Sequence, residues 1–348
     1  MNEHRAILVA DLGYGDSGKG ITIDTLARTY GAHTVVRYNG GPQAAHTVVT
    51  MDGRSHTFSQ FGSATFVPGV ATYLSQFMLV EPLSLINEET YLQQSGISDA
   101  LLRHFIHHDA RVISPYAVLI NKLRERMRSD ARHGSCGMGV GETVRFWKVH
   151  PDETLYVRDL QNSQMLQKKL SFQREYASVL IKESFVYVMR AAADLQREWN
   201  KLSEDTHVTA LIENYVVISK KINTVDETWV AKLMKRDGVM LFEGAQGVLL
   251  DERFGFHPFT TWSDTTYGNA HKIIAEHEYT GVTTRLGVLR AYATRHGPGP
   301  FVTHDRALTE RIPDSHNVFS EWQREFRVGW FDAVASRFAL RAVCYQRR

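Results

Sequence analysis

The stretch "GYGDSGKG", residues 13–20, follows the apolar run "RAILVADL" and decides how the chain begins to fold. The pattern predicts a strand, a glycine-rich loop and a helix over about residues 20–30, and a second strand, "HTVVRYN", comes next. This β-loop-α-β order is typical of a parallel sheet that places a helix N-terminus against a bound phosphate. We therefore predict an α/β fold with a mainly parallel twisted sheet, a P-loop-like phosphate site and flanking helices.

Composition limits the class of protein. The chain has 348 residues, of which 43% are hydrophobic, so it is long enough to bury a substantial core. Its 40 Lys and Arg nearly balance its 38 Asp and Glu, which argues against a nucleic-acid or membrane-surface partner. Two distant cysteines, Cys136 and Cys344, favour neither a disulfide framework nor a zinc site. Without a predicted signal peptide or spanning segment, we expect a cytoplasmic protein.

The glycine loop has two interpretations. From Gly13 it satisfies the G-x-G-x-x-G dinucleotide fingerprint, but the second strand ends at residues 38–41, "YNGG", without the acidic residue that holds a ribose. It also satisfies a Walker-type loop that ends in Gly18 and Lys19, which suits a nucleoside triphosphate. In that case Gly20 replaces the Ser or Thr that would bind magnesium, so another residue must hold the metal.

Asp16 lies inside this loop, where a carboxylate beside phosphates is repelled unless a cation sits between them. It is therefore a magnesium ligand, a base facing a second substrate, or both, and the alternative is a structural helix cap. The second loop, "RYNGGPQAAHT", ends in His46, and its small residues leave room for a ligand beside that ring.

These loops resemble the paired N-terminal motifs of adenylosuccinate synthetases, G-x-x-W-G-D-E-G-K-G-K and R-x-x-G-G-x-N-A-G-H-T. Four further stretches resemble family segments in the same order: "LFEGAQGVLLD" (241–251), "PFTTWSDTT" (258–266), "GVLRAYATRHGPGPF" (287–301) and "VGWFDAVA" (328–335). The likeness covers most of the chain and is weak from about residue 150 to 235. We expect a single discontinuous ligase domain over 1–348, with a nucleotide-binding core at about 1–60 and 235–348 and helical or loop insertions at about 80–235.

The resemblance implies a ligase that joins aspartate to a purine nucleotide in two steps. A base removes the N1 proton of a 6-oxopurine monophosphate, O6 takes the γ-phosphoryl group, and the aspartate amine then displaces phosphate at C6. By motif match Asp16 is the base and a Mg²⁺ ligand, His46 is the acid at the β–γ bridge oxygen, and Ala45 offers its carbonyl to Mg²⁺. The implied triphosphate-binding set is Gly15, Asp16, Ser17, Gly18, Lys19 and Gly20.

The resemblance also implies residues for the other two substrates. Arg324 and Arg327 fall in the stretch that binds the aspartate carboxylates, where a bidentate guanidinium suits a dicarboxylate. The family is usually a homodimer in which each subunit lends a residue to its neighbour's monophosphate site, and Arg145 is the candidate for that residue. The implied acceptor-nucleotide set is Ser17, Gln43, Ser135, Cys136, Arg145, Gln246 and Thr261.

Four departures from the family pattern surround the expected ligands. Ser17 replaces a glutamate, Gln43 an asparagine and Ala45 a glycine, and the threonine-rich aspartate loop is "SEWQ" at 320–323, where Glu321 would repel an acidic substrate. The chain also ends before the T-K-x-D segment with which the family binds guanine. These changes match a divergent bacteriophage branch that uses dGMP as acceptor and ATP or dATP as donor. Its product, N6-succino-2-amino-2′-deoxyadenylate, is a precursor of 2-aminoadenine in phage DNA.

Two alternatives stay open. In the first alternative, the chain is an ordinary synthetase that acts on IMP with GTP. In the second, it is a regulatory module that binds a nucleotide without turnover. The presence of both Asp16 and His46 speaks against the second alternative. The expected partners are small molecules, namely dGMP, L-aspartate and ATP or dATP, with no nucleic acid or membrane; a phage-encoded protein would act in the host cytoplasm.

Overall fold

The computed structural model describes residues 4–314, 317 and 319–345. The strands are β1 Arg5–Asp11, β2 Thr34–Arg37, β3 His46–Val49, β4 Ser55–Phe58, β5 Ala71–Leu74, β6 Leu79–Val80, β7 His104–His107, β8 Arg111–Val112, β9 Asn223–Val225, β10 Val239–Glu243, β11 Val282–Val288, β12 Ala293–His296 and β13 Phe326–Gly329. The helices are α1 Lys19–Tyr30, α2 Pro82–Gln94, α3 Pro115–Met127, α4 Val140–Val149, α5 Ser163–Leu180, α6 Val186–Ala191, α7 Ala193–Leu202, α8 Asp205–Ser219, α9 Glu227–Met234, α10 Gly268–Glu276, α11 Arg306–Arg311 and α12 Ala333–Tyr345.

A parallel sheet of seven strands organises the described part of the chain, in the order β11-β1-β10-β2-β5-β7-β9. Strand β1 lies between β10 and β11, with Leu8 opposite Phe242 and Asp11 opposite Val288. Because the strands are parallel, the loops after β1, β2 and β10 leave from one edge, where ligands bind in open α/β sheets. The predicted α/β fold with a mainly parallel sheet is confirmed.

The sequence of β1 explains why both faces of this sheet are covered. Ala6, Leu8 and Ala10 point to one face, where helices α9, α10 and α12 contribute their apolar sides. Ile7 and Val9 point to the other face and pack against α1. A strand that is apolar at successive positions is stable only between two layers, as in other parallel sheets.

A helical lobe packs beside the sheet and holds the largest apolar cluster, built mainly from α2, α3, α5, α7 and α8. Two of these helices begin with strong local signals: Glu81 caps α2 and Ser114 caps α3, each followed by a proline in the first turn. Of the helices in the described ranges, none is long and apolar enough to span a bilayer.

One predicted element is wrong. The stretch "ALLRHFIHHDARVIS", residues 100–114, predicts a helix followed by a strand. In the structure a short 3₁₀ turn at Leu101–Arg103 leads directly into β7. Pairing with β5 and β9 decides the outcome, because His104 and Ile106 are buried between layers. Both β7 and β9 come from the 80–235 range, so this segment adds strands to the central sheet. The division into core and insertions remains a prediction.

Buried histidines make the stability of this fold depend on pH. His104 is fully buried with Nε2 3.1 Å from the Gln60 carbonyl, and burial lowers its pKa to about 4. In the unfolded chain the His104 imidazole binds a proton near pH 6.5, whereas in the folded chain it binds one only near pH 4. The free energy of unfolding therefore falls as the pH drops from about 6.5 to about 4. We predict that His104→Gln lowers the slope of unfolding free energy against pH by about 1.4 kcal/mol per unit there.

Urea unfolding between pH 7.5 and 4.5 measures this slope. The matched control is His304→Gln, the same substitution at an exposed position. Equal slopes for the wild type and His104→Gln would contradict a neutral buried imidazole at position 104.

Candidate functional site

A buried ion pair supports the glycine loop from below. Asp11, the last residue of β1, accepts hydrogen bonds from the backbone N–H of Gly13 at 2.8 Å and of Ser17 at 3.0 Å. Its carboxylate also lies 3.0 Å from Lys19 Nζ, and both side chains are buried. Gly15 and Gly18 have positive φ angles of 95° and 88°, so the loop curls in a way that favours glycine. The loop is thus preshaped, with Lys19 held at its base.

Asp16 lies in the same loop with a φ of 59°, an uncommon conformation for a non-glycine residue. Helix α1 begins after Gly18, and no side chain caps it, so Asp16 is not the structural cap that the alternative interpretation required. Arg290 donates to the Asp16 carbonyl through Nε. Burial raises the pKa of the Asp16 carboxyl, Asp11 adds to the effect, and Lys19 opposes it. A raised pKa makes this carboxylate a better proton acceptor than an ordinary aspartate.

The uncapped start of α1 leaves backbone N–H groups available to an anion. The first four N–H groups of a helix have no partner inside it, and their dipoles favour negative charge. With Lys19 in the first turn, this end of α1 is a phosphate-binding feature of the kind that the loop sequence predicts.

His46 is the first residue of β3 and is held by Glu243, which is distant in the sequence. Its Nδ1 lies 2.5 Å from Glu243 Oε1, at the end of β10, and both side chains are buried. Glu243 also accepts from the backbone N–H of Ser63 at 3.0 Å and from the Ser63 hydroxyl. The imidazole is therefore fixed, and Nε2, which is buried, has no hydrogen-bond partner among the described residues.

The charges around His46 favour a neutral ring. Burial lowers its pKa to about 4, against the opposing effect of Glu243. Burial also disfavours the Glu243 carboxylate, but Arg37, His46 and Ser63 together outweigh it and bring that pKa to about 2. The pair is therefore a carboxylate that accepts a hydrogen bond from the Nδ1–H of a neutral imidazole. Phosphate charge near Nε2 would raise the histidine pKa and turn it into a proton donor.

One polar residue joins the loops after β2 and β10. Asn39 donates to the Ala245 carbonyl at 3.1 Å and accepts from its N–H at 2.7 Å. A Cβ on Gly247 would lie 2.3 Å from the Gly13 carbonyl, so the β10 loop touches the glycine loop. Gln246 has a φ of 61°, and neither its buried Oε1 nor the two buried amide atoms of Gln43 has a hydrogen-bond partner within the part of the chain that the structure describes. These unpaired polar atoms in the two loops are suited to a polar ligand.

The loop "GSCGMG" is held by the last turns of α3. Asn121 Oδ1 accepts from the Ser135 hydroxyl at 2.9 Å and from the Gly139 N–H at 3.1 Å. Glu125 accepts from the Gly134 N–H at 3.1 Å. Cys136 is a free thiol whose pKa is raised to about 11 by burial, so it is unreactive.

Arg145, in the middle of α4, lies near the loop that carries Thr261. The guanidinium of Arg145 is 4.9 Å from the centre of the Trp262 ring, the residue after Thr261. The backbone N–H of Thr261 donates to the Leu250 carbonyl at 2.7 Å. The structure therefore brings these two predicted acceptor residues to one surface.

The predicted aspartate residues lie on a hairpin beside the same loops. Arg324 is exposed with a φ of 69° and closes a tight turn with Ser320. Arg327, on β13, donates to the carbonyls of Gly297 at 2.6 Å and Gly299 at 3.1 Å. Glu321, where the sequence suggests repulsion of an acidic substrate, pairs with Arg126 at 3.0 Å. Arg126 also binds Asp194 through both terminal nitrogens at 2.7 Å, so it offsets the Glu321 charge only in part.

Direct contacts join these groups into one region. Tyr14 donates from the glycine loop to the Pro300 carbonyl at 3.1 Å, and the Arg295 guanidinium covers the Tyr14 ring at 4.3 Å. A Cβ on Gly134 would lie 2.4 Å from Pro298 Cδ, so the 134–139 loop touches the same turn. The ring of Trp322 packs on Gly137. The glycine loop, the 134–139 loop and the 320–324 hairpin thus surround the turn at 297–300.

Sequence reasoning missed several residues that hold the site. Those with the clearest roles are Asp11, Arg37, Asn39, Asn121, Glu243, Arg290 and Arg295. Glu243 offered the only signal, since it is a carboxylate inside a run of buried apolar residues, "GVMLFEG". The others act through partners that are distant in sequence.

Asp16 and Ala45 suit a hard divalent cation by their chemistry. A carboxylate and a backbone carbonyl are oxygen donors, which Mg²⁺ prefers, and Mg²⁺ normally keeps several waters in addition. The half-exposed position of Asp16 leaves room for such a hydrated ion.

The packing around Gly20 explains why no Walker-type Ser or Thr stands at this position. A Cβ at this position would lie 2.9 Å from His46 Cβ and 3.2 Å from the Thr47 carbonyl. Helix propensity alone would make Gly20→Ala stabilising by up to about 1 kcal/mol. We predict the opposite sign, a loss of about 1–3 kcal/mol in unfolding free energy, because the backbone cannot yield. Chemical denaturation measures it, and Thr25→Ala on the exposed face of α1 is the control. A stabilised Gly20→Ala would contradict the contact.

Among solved structures, the chain is similar in fold to two enzymes. One is the fully ligated adenylosuccinate synthetase of Plasmodium falciparum, with a TM-score of 0.74 at 22% identity over 99% of this chain and 74% of that one. The other is the succinoaminodeoxyadenylate synthetase of cyanophage S-2L, bound to dGMP and dATP, with a TM-score of 0.65 at 16% identity. It covers 97% of this chain and 81% of that one.

Sequence comparison gives the family. The chain is 32% identical to the adenylosuccinate synthetase of Mycobacterium tuberculosis over 346 residues, which is 97% of this chain and 74% of that protein. It is 30% identical to that of Halothermothrix orenii over 335 residues, 94% and 72% respectively. The adenylosuccinate synthetase family profile matches residues 8–347. The chain therefore belongs to the adenylosuccinate synthetase family of carbon–nitrogen ligases.

Proposed function

We propose that this ligase joins L-aspartate to C6 of dGMP with ATP or dATP as phosphoryl donor, forming N6-succino-2-amino-2′-deoxyadenylate, ADP or dADP and phosphate. The product would serve the synthesis of 2-aminoadenine DNA in a bacteriophage. The observation that carries the substrate assignment is Ser17, which stands where the resemblance expects glutamate. The cyanophage enzyme bound to dGMP and dATP supports it as a structural relative.

Ser17 suits an acceptor base that carries a 2-amino group. Its backbone N–H is used by Asp11, but its hydroxyl makes only a long contact of 3.5 Å with the Gly15 carbonyl among the described residues. The hydroxyl oxygen is therefore free to accept a hydrogen bond from an amino group. Serine is also shorter than glutamate and uncharged, which leaves volume for the added substituent beside Asp16.

In the first step Asp16 accepts the N1 proton of the acceptor base, and O6 attacks the γ-phosphorus of the donor. Lys19 and the free N–H groups of α1 hold the triphosphate in line, which is the main contribution of protein groups to phosphoryl transfer. His46, protonated beside the phosphates, donates from Nε2 to the β–γ bridge oxygen as that bond breaks. Glu243 fixes the ring and stabilises its positive charge. Bound Mg²⁺, held by Asp16 and Ala45, would neutralise charge on the phosphates.

In the second step the aspartate amine attacks C6 and the 6-phosphoryl group leaves as phosphate. Arg324 is exposed and its guanidinium is available to the aspartate carboxylates. Arg327 binds the 297–299 carbonyls and so orients this side of the site. Ser135 and Cys136 would line the monophosphate of the acceptor, and Gln246 and Thr261 would contact its base and phosphate. In a homodimer Arg145 would reach the neighbouring subunit's acceptor, in place of its stacking on Trp262.

A second candidate is an adenylosuccinate synthetase that acts on IMP with GTP. The curated relatives that favour it carry that name and are 30–32% identical to this chain. The two candidates share every proton and phosphoryl transfer described above, and they differ in the acceptor base and the donor base.

Substrate selection tests the proposal. We predict turnover of dGMP with ATP or dATP and at least tenfold lower kcat/KM for IMP. Steady-state phosphate release with each acceptor and donor pair measures this. Robust turnover of IMP with GTP and none of dGMP would overturn the proposal in favour of the second candidate.

The variant Ser17→Glu tests whether residue 17 causes that selection of the acceptor base. The longer, charged side chain removes the space and the free hydroxyl, so kcat/KM for dGMP falls at least tenfold, more than for IMP. Ser17→Ala is the matched control, because it keeps the space and loses only the hydroxyl, and it should lose less. An unchanged dGMP to IMP ratio in Ser17→Glu would show that another residue selects the base.

Asp16→Asn tests the proposed base. Replacing the carboxylate by an amide removes the proton acceptor while nearly preserving shape, so kcat falls by about 10²–10⁴-fold. Phosphate release from the triphosphate with acceptor and aspartate present measures it. Asp52→Asn, in the exposed turn between β3 and β4, is the control and keeps full activity. Intact phosphate release in Asp16→Asn would remove Asp16 from the catalytic role.

A further inference from the structure

A second cluster of ligating side chains lies away from the glycine loop, at the outer end of the sheet. His107 ends β7, His108 and Asp109 follow it, and Glu227 begins α9. Each of the four side chains offers one ligand atom, and those atoms all lie within 4.8 Å of one another. His107 is buried, His108 and Asp109 are half-buried, and Glu227 is exposed. The ligase chemistry described above uses none of them.

The Glu227 carboxylate contacts both imidazoles, one with each oxygen. Glu227 Oε1 is 3.4 Å from His107 Nε2, and Glu227 Oε2 is 3.3 Å from His108 Nε2. His108 Nε2 is 3.6 Å from Asp109 Oδ2. Ligands about 2.0–2.1 Å from a tetrahedral zinc ion lie about 3.3–3.4 Å apart, so a small movement of the side chains around the Glu227 carboxylate brings the four groups to the separations that zinc requires.

A neighbouring group orients one of the ligands. Arg158 forms an ion pair with Asp109 Oδ1, which leaves Oδ2 facing His108. His107 Nδ1 accepts a hydrogen bond from the Asp109 N–H at 3.1 Å, so the neutral ring carries its proton on Nε2 without a metal. Coordination through Nε2 requires the ring proton to move to Nδ1 and this hydrogen bond to break, so the metal bond must outweigh that loss.

We propose that His107, His108, Asp109 and Glu227 bind one divalent transition-metal ion. Two imidazoles and two carboxylates favour zinc, cobalt or nickel over magnesium, which prefers oxygen ligands alone. The bound ion links the end of β7 to the first turn of α9 and stabilises the outer part of the sheet. Since it shares no residue with the nucleotide site, this inference is independent of the proposed substrate.

Metal binding to the full chain, freed of metal with a chelator and without nucleotide, tests the proposal. We expect calorimetry to give one equivalent of Zn²⁺, and Co²⁺ to give the visible spectrum of a four-coordinate site. The double variant His108→Asn, Glu227→Gln should bind at least tenfold more weakly, and its Tm should no longer rise with Zn²⁺. Arg158→Gln keeps all four ligands and should lose about 10–100-fold through disorder of Asp109 alone.

The matched control is the double variant His207→Asn, Glu213→Gln, which removes one imidazole and one carboxylate from α8. It should bind as the wild type does. Equal zinc affinity and stoichiometry in the wild type and the 108/227 variant would overturn the proposal, as would the absence of zinc binding by the wild type. A 108/227 variant that fails to fold leaves the test to Arg158→Gln, where unchanged affinity counts against the site.

Discussion

The buried carboxylate of Glu243 holds together the segments that form the candidate site. It ends β10, an interior strand of the sheet, fully removed from solvent, and a lone charge there would be very unfavourable. Ser63, His46 and the charge of Arg37 come from three other segments and make it stable as an anion. Removing one partner of such a buried arrangement typically costs about 3–5 kcal/mol. The loops therefore meet in one geometry, and the orientation of His46 follows from it.

The sequence predicted the parts of the site that depend on local order. The strand, glycine loop and helix are consecutive, so the position of Asp16 and Lys19 at a helix N-terminus needed only spacing. His46 was proposed because a loop of small residues precedes it, and its role as a site residue stays a prediction. The parallel sheet followed from the same pattern, and the family match bears out the ligase interpretation.

The residues that support the site make contacts with distant segments, which the spacing of residues in the sequence does not predict. Asn39 binds Ala245 and Glu243 binds His46, each across about two hundred positions. Strand β7 was mistaken for a helix for a related reason. The apolar residues of "ALLRHFIHHD" fit both the helical and the strand periodicity, and only pairing with β5 and β9 makes this segment a strand. Glu321 shows the same limit: its charge suggested conflict with an acidic substrate, and its ion pair with Arg126, a residue of α3, was not visible in the letters.

The close contact between Gly20 and His46 makes a Walker-type hydroxyl and this histidine alternatives. A serine or threonine at position 20 would place its Cβ 2.9 Å from His46 Cβ and 3.2 Å from the Thr47 carbonyl, so the start of β3 would have to shift. Grafting a Walker serine onto this scaffold would therefore disturb the histidine for which we propose a role as proton donor.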